Sequence, residues 1–192
     1  MTRRVAVVTG VSRRAGIGFA VARRLTADGF DLVVQSWAPH DAEMRWGVDA
    51  HGPEALVEEV RSLGGRVEHL VADFEQPESA GSVISAAVAA FGHVDVLVQN
   101  GHYDGDYQIV TESDPQRWRD IMEVNLFGAF HLAQFVVPSM QARGGRGAGG
   151  ALVILTSISH RGGGPAGPNV PSAAARGHNV TFDPGVGAPP DP

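Results

Sequence analysis

The segment Thr9-Gly10-Val11-Ser12-Arg13-Arg14-Ala15-Gly16-Ile17-Gly18 concentrates residue types that handle phosphate. Glycines let a backbone turn tightly and approach a pyrophosphate, whose charge is then stabilised by free N–H groups and the dipole of a following helix. A Gly-rich turn is also an ordinary way to connect a strand to a helix, and position separates the two readings. Val5-Ala6-Val7-Val8 reads as a buried strand directly before this turn, and Ile17, Ala20, Val21 and Leu25 repeat at helical spacing directly after it. The first strand-turn-helix unit is where dinucleotide-binding folds hold phosphate, so nucleotide binding is the chemistry expected here.

Other reactive residue types are sparse. The chain has no Cys, which removes disulfides, thiolate metal sites and cysteine nucleophiles together. Its only tyrosines, Tyr103 and Tyr107, share one loop with His102, Asp104 and Asp106. That group lacks fixed ligand spacing and reads as a turn rather than a metal site. Ser157, Ser159 and His160 lie close together without a Gly-x-Ser-x-Gly elbow, so a hydrolase triad is not expected. Arg143-Gly144-Gly145-Arg146-Gly147 is short and free of aromatics, which suits a flexible connector better than an RNA-binding segment.

The positioning elements follow from periodicity. Leu32-Val33-Val34 reads as a second strand, Val67 to Val71 as a third, Val94 to Val98 as a fourth and Ala151 to Leu155 as a fifth. Helices are expected from about Pro53 to Leu63, Pro77 to Phe91 and Pro115 to Met140. Strands this continuously apolar, separated by helices, require a parallel sheet covered on both faces. The fold class is therefore α/β, a doubly wound parallel sheet of Rossmann type. With 192 residues the chain has one domain's worth of sequence, and 43% hydrophobic residues can fill a core. After residue 143 Gly and Pro become dense, so we divide the chain into a nucleotide-binding domain over 1–160 and a Gly/Pro-rich remnant over 161–192.

Composition narrows the partners. A net charge of −6 gives no concentrated basic face for nucleic acid. No uninterrupted apolar run reaches the roughly 18 residues of a membrane span, and Met1-Thr2-Arg3-Arg4 leads only into a short strand. A soluble, cytoplasmic protein is the expectation.

Taken in order, the motifs resemble the short-chain dehydrogenase/reductase family over about residues 3–160. The Gly-rich turn is similar to the family's Thr-Gly-x-x-x-Gly-x-Gly, with two more residues between Gly10 and Gly16. Val71-Ala72-Asp73-Phe74 resembles the segment whose Asp contacts adenine, and Asn100-Gly101 stands where the family has Asn-Ala-Gly. Glu123-Val124-Asn125 resembles the helix segment whose Asn supports a proton-relay water, and Thr156-Ser157 the strand end bearing the catalytic Ser. The resemblance implies hydride transfer between a nicotinamide cofactor and a carbonyl or alcohol, as in 3-oxoacyl-type ketoreductases. Cofactor binding is expected at Gly10, Ser12, Arg13, Arg14, Gly16, Ile17, Gly18, Asp73, Phe74, Asn100 and Gly101, and catalytic roles at Ser157 and Asn125. The second strand ends in Val34-Gln35-Ser36-Trp37 without an acid, while Arg13 and Arg14 lie in the turn. That pattern favours the 2′-phosphate of NADP, with NAD as the alternative.

One part of the pattern is missing. The family follows its Ser with Tyr-x-x-x-Lys, the pair that moves the proton at the carbonyl oxygen. Here the corresponding positions hold Val170 and Ala174, or Ser172 and Arg176 in another register, and all 15 basic residues are Arg. A Ser hydroxyl is too weak an acid, and Arg stays charged. Only Ser172 to Ala175 stands where a full helix normally precedes the Pro-Gly segment, here Asp183-Pro184-Gly185. The expectation is an internally deleted, truncated relative with an incomplete C-terminal part and weak or absent turnover. Its alternative is an inert NADP-binding protein or the partner of a full-length relative. The sheet face left uncovered predicts low stability or self-association.

Overall fold

Along β1 (Val5–Val8) every residue is buried, and the side chains alternate between two cores. Ala6 and Val8 meet Phe19, Ala22, Leu56, Val57 and Val60 on one face, whereas Val7 meets Val83, Ile84, Leu132 and Val136 on the other. A strand buried on both sides must sit at the centre of a covered sheet. The computed structural model describes residues 3–103, 114–142 and 149–155. Five parallel strands, β1, β2 (Asp31–Ser36), β3 (Val67–Val71), β4 (Val96–Gln99) and β5 (Ala151–Ile154), run in the order β3-β2-β1-β4-β5. In register, Val7 stands between Val33 of β2 and Leu97 of β4.

The helices are α1 (Ile17–Ala27), α2 (Ala38–Glu43), α3 (Gly52–Ser62), α4 (Pro77–Phe91), α5 (Pro115–Met122) and α6 (Gly128–Ala142). Helices α1 and α3 cover one face of the sheet, and α4 and α6 the other. The result is the expected doubly wound α/β architecture. Pro at the first turn of α3, α4 and α5 suits a position whose N–H would be unpaired anyway. At the far end of α4, Gly92 takes a left-handed φ of 85° and its N–H closes onto the Val88 carbonyl.

Beyond small shifts of element ends, three features differ from the sequence expectation. Strand β2 extends from Asp31 to Ser36, because the buried Asp31 carboxylate pins its start. That carboxylate accepts from the Arg66 backbone N–H at 3.0 Å and Nη2 at 2.6 Å, and pairs with Arg3 at 3.1 Å. The short helix α2 is an element that periodicity does not mark. The third feature is a π turn over Glu123–Phe127 within the expected long helix, which joins α5 to α6. The resulting 28-residue helix, Pro115–Ala142, is long and apolar enough to cross a membrane by length and composition. Its buried Ile121, Val124, Leu132, Val136 and Met140 make it a core helix. Phe127, Phe130 and Phe135 on this helix and Val153 of β5 are each 45–50% exposed.

Beside the core, Ser36 Oγ and His69 Nε2 lie 2.8 Å apart between β2 and β3. Burial is the main cause that holds the His69 pKa below its ordinary value; Glu54 opposes the shift and Arg61 adds to it. The unfolded chain therefore takes up a proton near pH 6.5, where the folded chain resists doing so. Stability from this site is full above that pH and is lost as pH falls toward the lowered folded value. Thermal melts between pH 7.5 and 5 should show a steeper decline for the parent than for His69→Gln, and parallel curves would contradict this account.

Candidate functional site

Strand β1 is flanked by β2 on one side and β4 on the other, so the chain reverses its direction of travel across the sheet at this point. The connections leaving β1 and β4 diverge there, and ligands bind in that crevice in open parallel sheets. A cavity of about 480 Å³ occupies it.

Its floor is a knot of backbone held by buried polar side chains. Thr9, fully buried, accepts through Oγ1 from the N–H groups of Asn100 at 3.1 Å and Gly101 at 2.9 Å. Asn100 Nδ2 donates back to the carbonyls of Thr9 at 3.0 Å and Gly10 at 3.1 Å. From the other side, Gln35 accepts from the Gly10 N–H at 3.0 Å and donates to the Ala72 carbonyl at 2.6 Å. Turns from β1, β2, β3 and β4 are thus tied together. In the sequence Thr9 only opens the Gly-rich turn and Gln35 only belongs to an acid-free strand end; the fold alone shows that both are buried and tie these turns together.

This knot leaves no room for side chains at Gly10 and Gly18. Gly10 has φ +71°, and a Cβ there would lie 2.6 Å from Gly101 Cα. At Gly18 a Cβ would lie 2.4 Å from the Gly10 carbonyl oxygen, so α1 abuts the turn directly. No side chain caps the start of α1 and no acid occupies its first turn, so its dipole is uncompensated. Gly16 and Ile17, at that end, line the cavity.

Of the expected cofactor residues, Gly10, Ser12, Arg13, Gly16, Ile17, Asp73, Phe74, Asn100 and Gly101 all reach the cavity. Gly18 lies behind Gly10 as packing. Arg14 does not line the cavity; its guanidinium pairs with Glu59 of α3 and its N–H donates to Asp49 at 2.8 Å. Asn125, buried on the π turn, lies one layer back. Its Oδ1 accepts from the Tyr103 N–H and its Nδ2 donates to the Tyr103 carbonyl, both at 2.9 Å. The amide thereby fixes the loop that follows β4. Ser157, Asp104, Asp106, Tyr107, Ser159, His160 and the 161–192 segment lie outside the described residues.

Helix α2 adds His40 and Asp41, which sequence reading missed, between Trp37 and Trp46 at its flanks. Trp37, His40, Asp41 and Trp46 line the cavity. Asp41 is buried, pairs with Arg13 Nε at 3.0 Å and accepts from Trp46 Nε1 at 3.0 Å. The signal was present in Pro39, a first-turn proline followed by an acid at Asp41. Across the crevice, the His40 ring approaches Tyr103 to 4.8 Å between centroids. Burial chiefly raises the Tyr103 pKa above the ordinary phenol value and outweighs Arg117, which lowers it. Burial is also the leading cause that raises the Glu75 pKa, with Asp73, Asp120 and Glu43 acting in the same sense.

A family model described as short chain dehydrogenase matches residues 4–174. A 3-oxoacyl-(acyl-carrier-protein) reductase of Staphylococcus epidermidis is 33% identical over 153 residues, covering 80% of this chain and 56% of its own length. An uncharacterised oxidoreductase of Methylorubrum extorquens is 33% identical over 156 residues, 81% of this chain and 55% of that one. The chain thus spans about half the length of the curated relatives it matches. A 3-oxoacyl-(acyl-carrier protein) reductase of Brucella melitensis, crystallised with NAD, superposes with a TM-score of 0.73 at 30% identity, over 92% of this chain and 64% of that one. A metagenomic short-chain oxidoreductase in complex with NADP gives 0.73 at 26% identity, over 91% and 71%. The match over most of the sequence, on a fold whose crevice brings the same motifs together, places this chain in the short chain dehydrogenase family.

Proposed function

We propose that the crevice binds a nicotinamide adenine dinucleotide, NADP or NAD, and that the chain is a carbonyl- or alcohol-directed oxidoreductase with a deficient proton-transfer step. The observation that carries this reading is the glycine cradle. Gly10 and Gly18 hold backbone so close that no Cβ fits, and that bareness lets a pyrophosphate approach the uncapped end of α1. Asp73 and Phe74 would meet the adenine, and Asn100 and Gly101 would hold the floor beneath the dinucleotide; all four line the cavity. When bound, the nicotinamide supplies or accepts the hydride. Ser157 would polarise the carbonyl oxygen, and Asn125 would order water while holding the Tyr103 loop in place. The substrate class, a small carbonyl or alcohol compound such as a 3-oxoacyl thioester, follows from the relatives' names. The same kinship supports a cytoplasmic setting, and the exposed phenylalanines of α6 support self-association.

Trp37 and Trp46 line the crevice and provide the probe. Titration with NADPH, and separately with NADH, should quench tryptophan emission saturably and sensitise nicotinamide emission. Absence of saturation by both dinucleotides overturns the proposal.

A further inference from the structure

Arg13 is the one Arg on the cavity lining among the described residues, and it is already engaged. Its Nε meets Asp41 Oδ1 at 3.0 Å, and its guanidinium lies 4.9 Å from the Trp46 ring centre. The Asp41 side chain is 7% exposed and that of Arg13 30%, so the carboxylate is the more buried and the guanidinium the more accessible member of a pair whose residues both line the cavity. Trp46 Nε1 anchors the same carboxylate at 3.0 Å, so Asp41 is held from two sides. In dinucleotide-binding folds an acid beyond the second strand favours the ribose 2′-hydroxyl, whereas an Arg nearby accommodates the 2′-phosphate. This crevice holds both determinants at one place, joined as an ion pair. Asp41 comes from α2, beyond the end of β2.

We propose that Asp41 determines selection at the ribose 2′ position, through its pairing with Arg13 and through its own charge. The inference rests on the dinucleotide reading above. A 2′-phosphate at Arg13 shares the guanidinium with the Asp41 carboxylate, which holds its Nε, and also meets that carboxylate's negative charge. A 2′-hydroxyl displaces nothing and can donate to the carboxylate. The paired state is therefore close to indifferent, and removing either charge should drive preference in opposite directions.

The test measures dissociation constants of NADPH and NADH by tryptophan quenching. The parent should bind the two within about tenfold of each other. Asp41→Asn keeps an oxygen acceptor for Trp46 Nε1 and removes the charge. It should tighten NADPH by about tenfold while leaving NADH within about twofold. Arg13→Gln should weaken NADPH by about tenfold, and Arg13→Gln with Asp41→Asn should recover most of that loss. Asp41→Glu, which keeps the charge, should stay near the parental ratio. A merely structural Asp41 would change both affinities together and leave their ratio alone, which overturns the assignment. Asp41→Ser is the second charge-removing variant and must shift the ratio in the same sense. If neither neutral variant folds, by circular dichroism, Asp41 is structural and the assignment also fails. A parent that binds neither dinucleotide overturns the underlying reading instead.

Discussion

Gly18→Ala should lower the melting temperature and weaken dinucleotide binding by more than tenfold. In an open helix the substitution would help, since Ala is favoured over Gly by roughly 0.5–1 kcal/mol. Here the added Cβ would sit 2.4 Å from the Gly10 carbonyl oxygen, 3.0 Å from its carbon and 2.7 Å from Asn100 Nδ2. Two of those atoms are backbone, and the third already donates to the same carbonyl and to Thr9. None is the free end of a flexible chain. Helix α1 must therefore back away from the turn, and overpacking of this kind costs about 1–3 kcal/mol. The same retreat moves the N–H groups that the proposed function places at the pyrophosphate. Gly29→Ala is the control. Gly29 has φ +88°, and a Cβ there would meet nothing within 4 Å, so the change strains the backbone by about 1 kcal/mol without touching the crevice. Melts and NADPH titrations on both variants should show lost stability in each and lost binding only in Gly18→Ala. Unchanged affinity in Gly18→Ala would remove the cradle from the binding argument.

Legibility followed local breakers. Strand β3 and helix α4 begin and end at the residues that periodicity marks, because each has a breaker beside it: Gly65 before β3, Pro77 and Gly92 around α4. The fourth strand starts at Val96 rather than Val94, although Val94 is fully buried. Apolarity there records packing, whereas the ladder is defined by hydrogen bonding. The π turn is not visible in Glu123-Val124-Asn125, as one extra residue per turn leaves no compositional trace. Its purpose is visible only in space, where Asn125 meets Tyr103. Charge reasoning at the crevice was incomplete for a similar reason. Arg13 and Arg14 are adjacent in sequence, but the turn sends one toward Asp41 and the other toward Glu59. The end of β2 carries no acid, yet α2 folds back to supply one from five positions beyond Ser36. Short-range motifs were readable, and long-range pairing was not.

With NADPH bound, reduction of a ketone or 3-oxoacyl thioester should run ~10²–10⁴-fold below that of a relative carrying Tyr-x-x-x-Lys, a deficit of about 3–5 kcal/mol in the barrier. Hydride arriving at a carbonyl carbon leaves negative charge on oxygen, and an acid must deliver a proton there. The acid needs a pKa near the working pH. Lys, which would lower a phenol's pKa through its charge, occurs nowhere in the chain. Among the described residues the phenol at the crevice is Tyr103, and its environment acts in the wrong sense: burial raises its pKa, and Arg117 offsets this only in part. Its backbone is also clasped on both sides by Asn125, which limits how far the loop can carry it. Ser157, a hydroxyl, can donate a hydrogen bond but not a proton at useful cost. Positioning of carbonyl and hydride donor can persist without an acid, so a slow residual rate is expected rather than none. Single-turnover oxidation of bound NADPH, followed by nicotinamide absorbance, separates that rate from binding. In Tyr103→Phe the residual rate should hold within about twofold, because removing a phenol that gives no proton removes no catalysis. A rate near that of the complete relatives, abolished by Tyr103→Phe, would make Tyr103 the acid and overturn the deficiency. A slow rate that survives the substitution shows that Tyr103 is not the proton donor and upholds the deficiency.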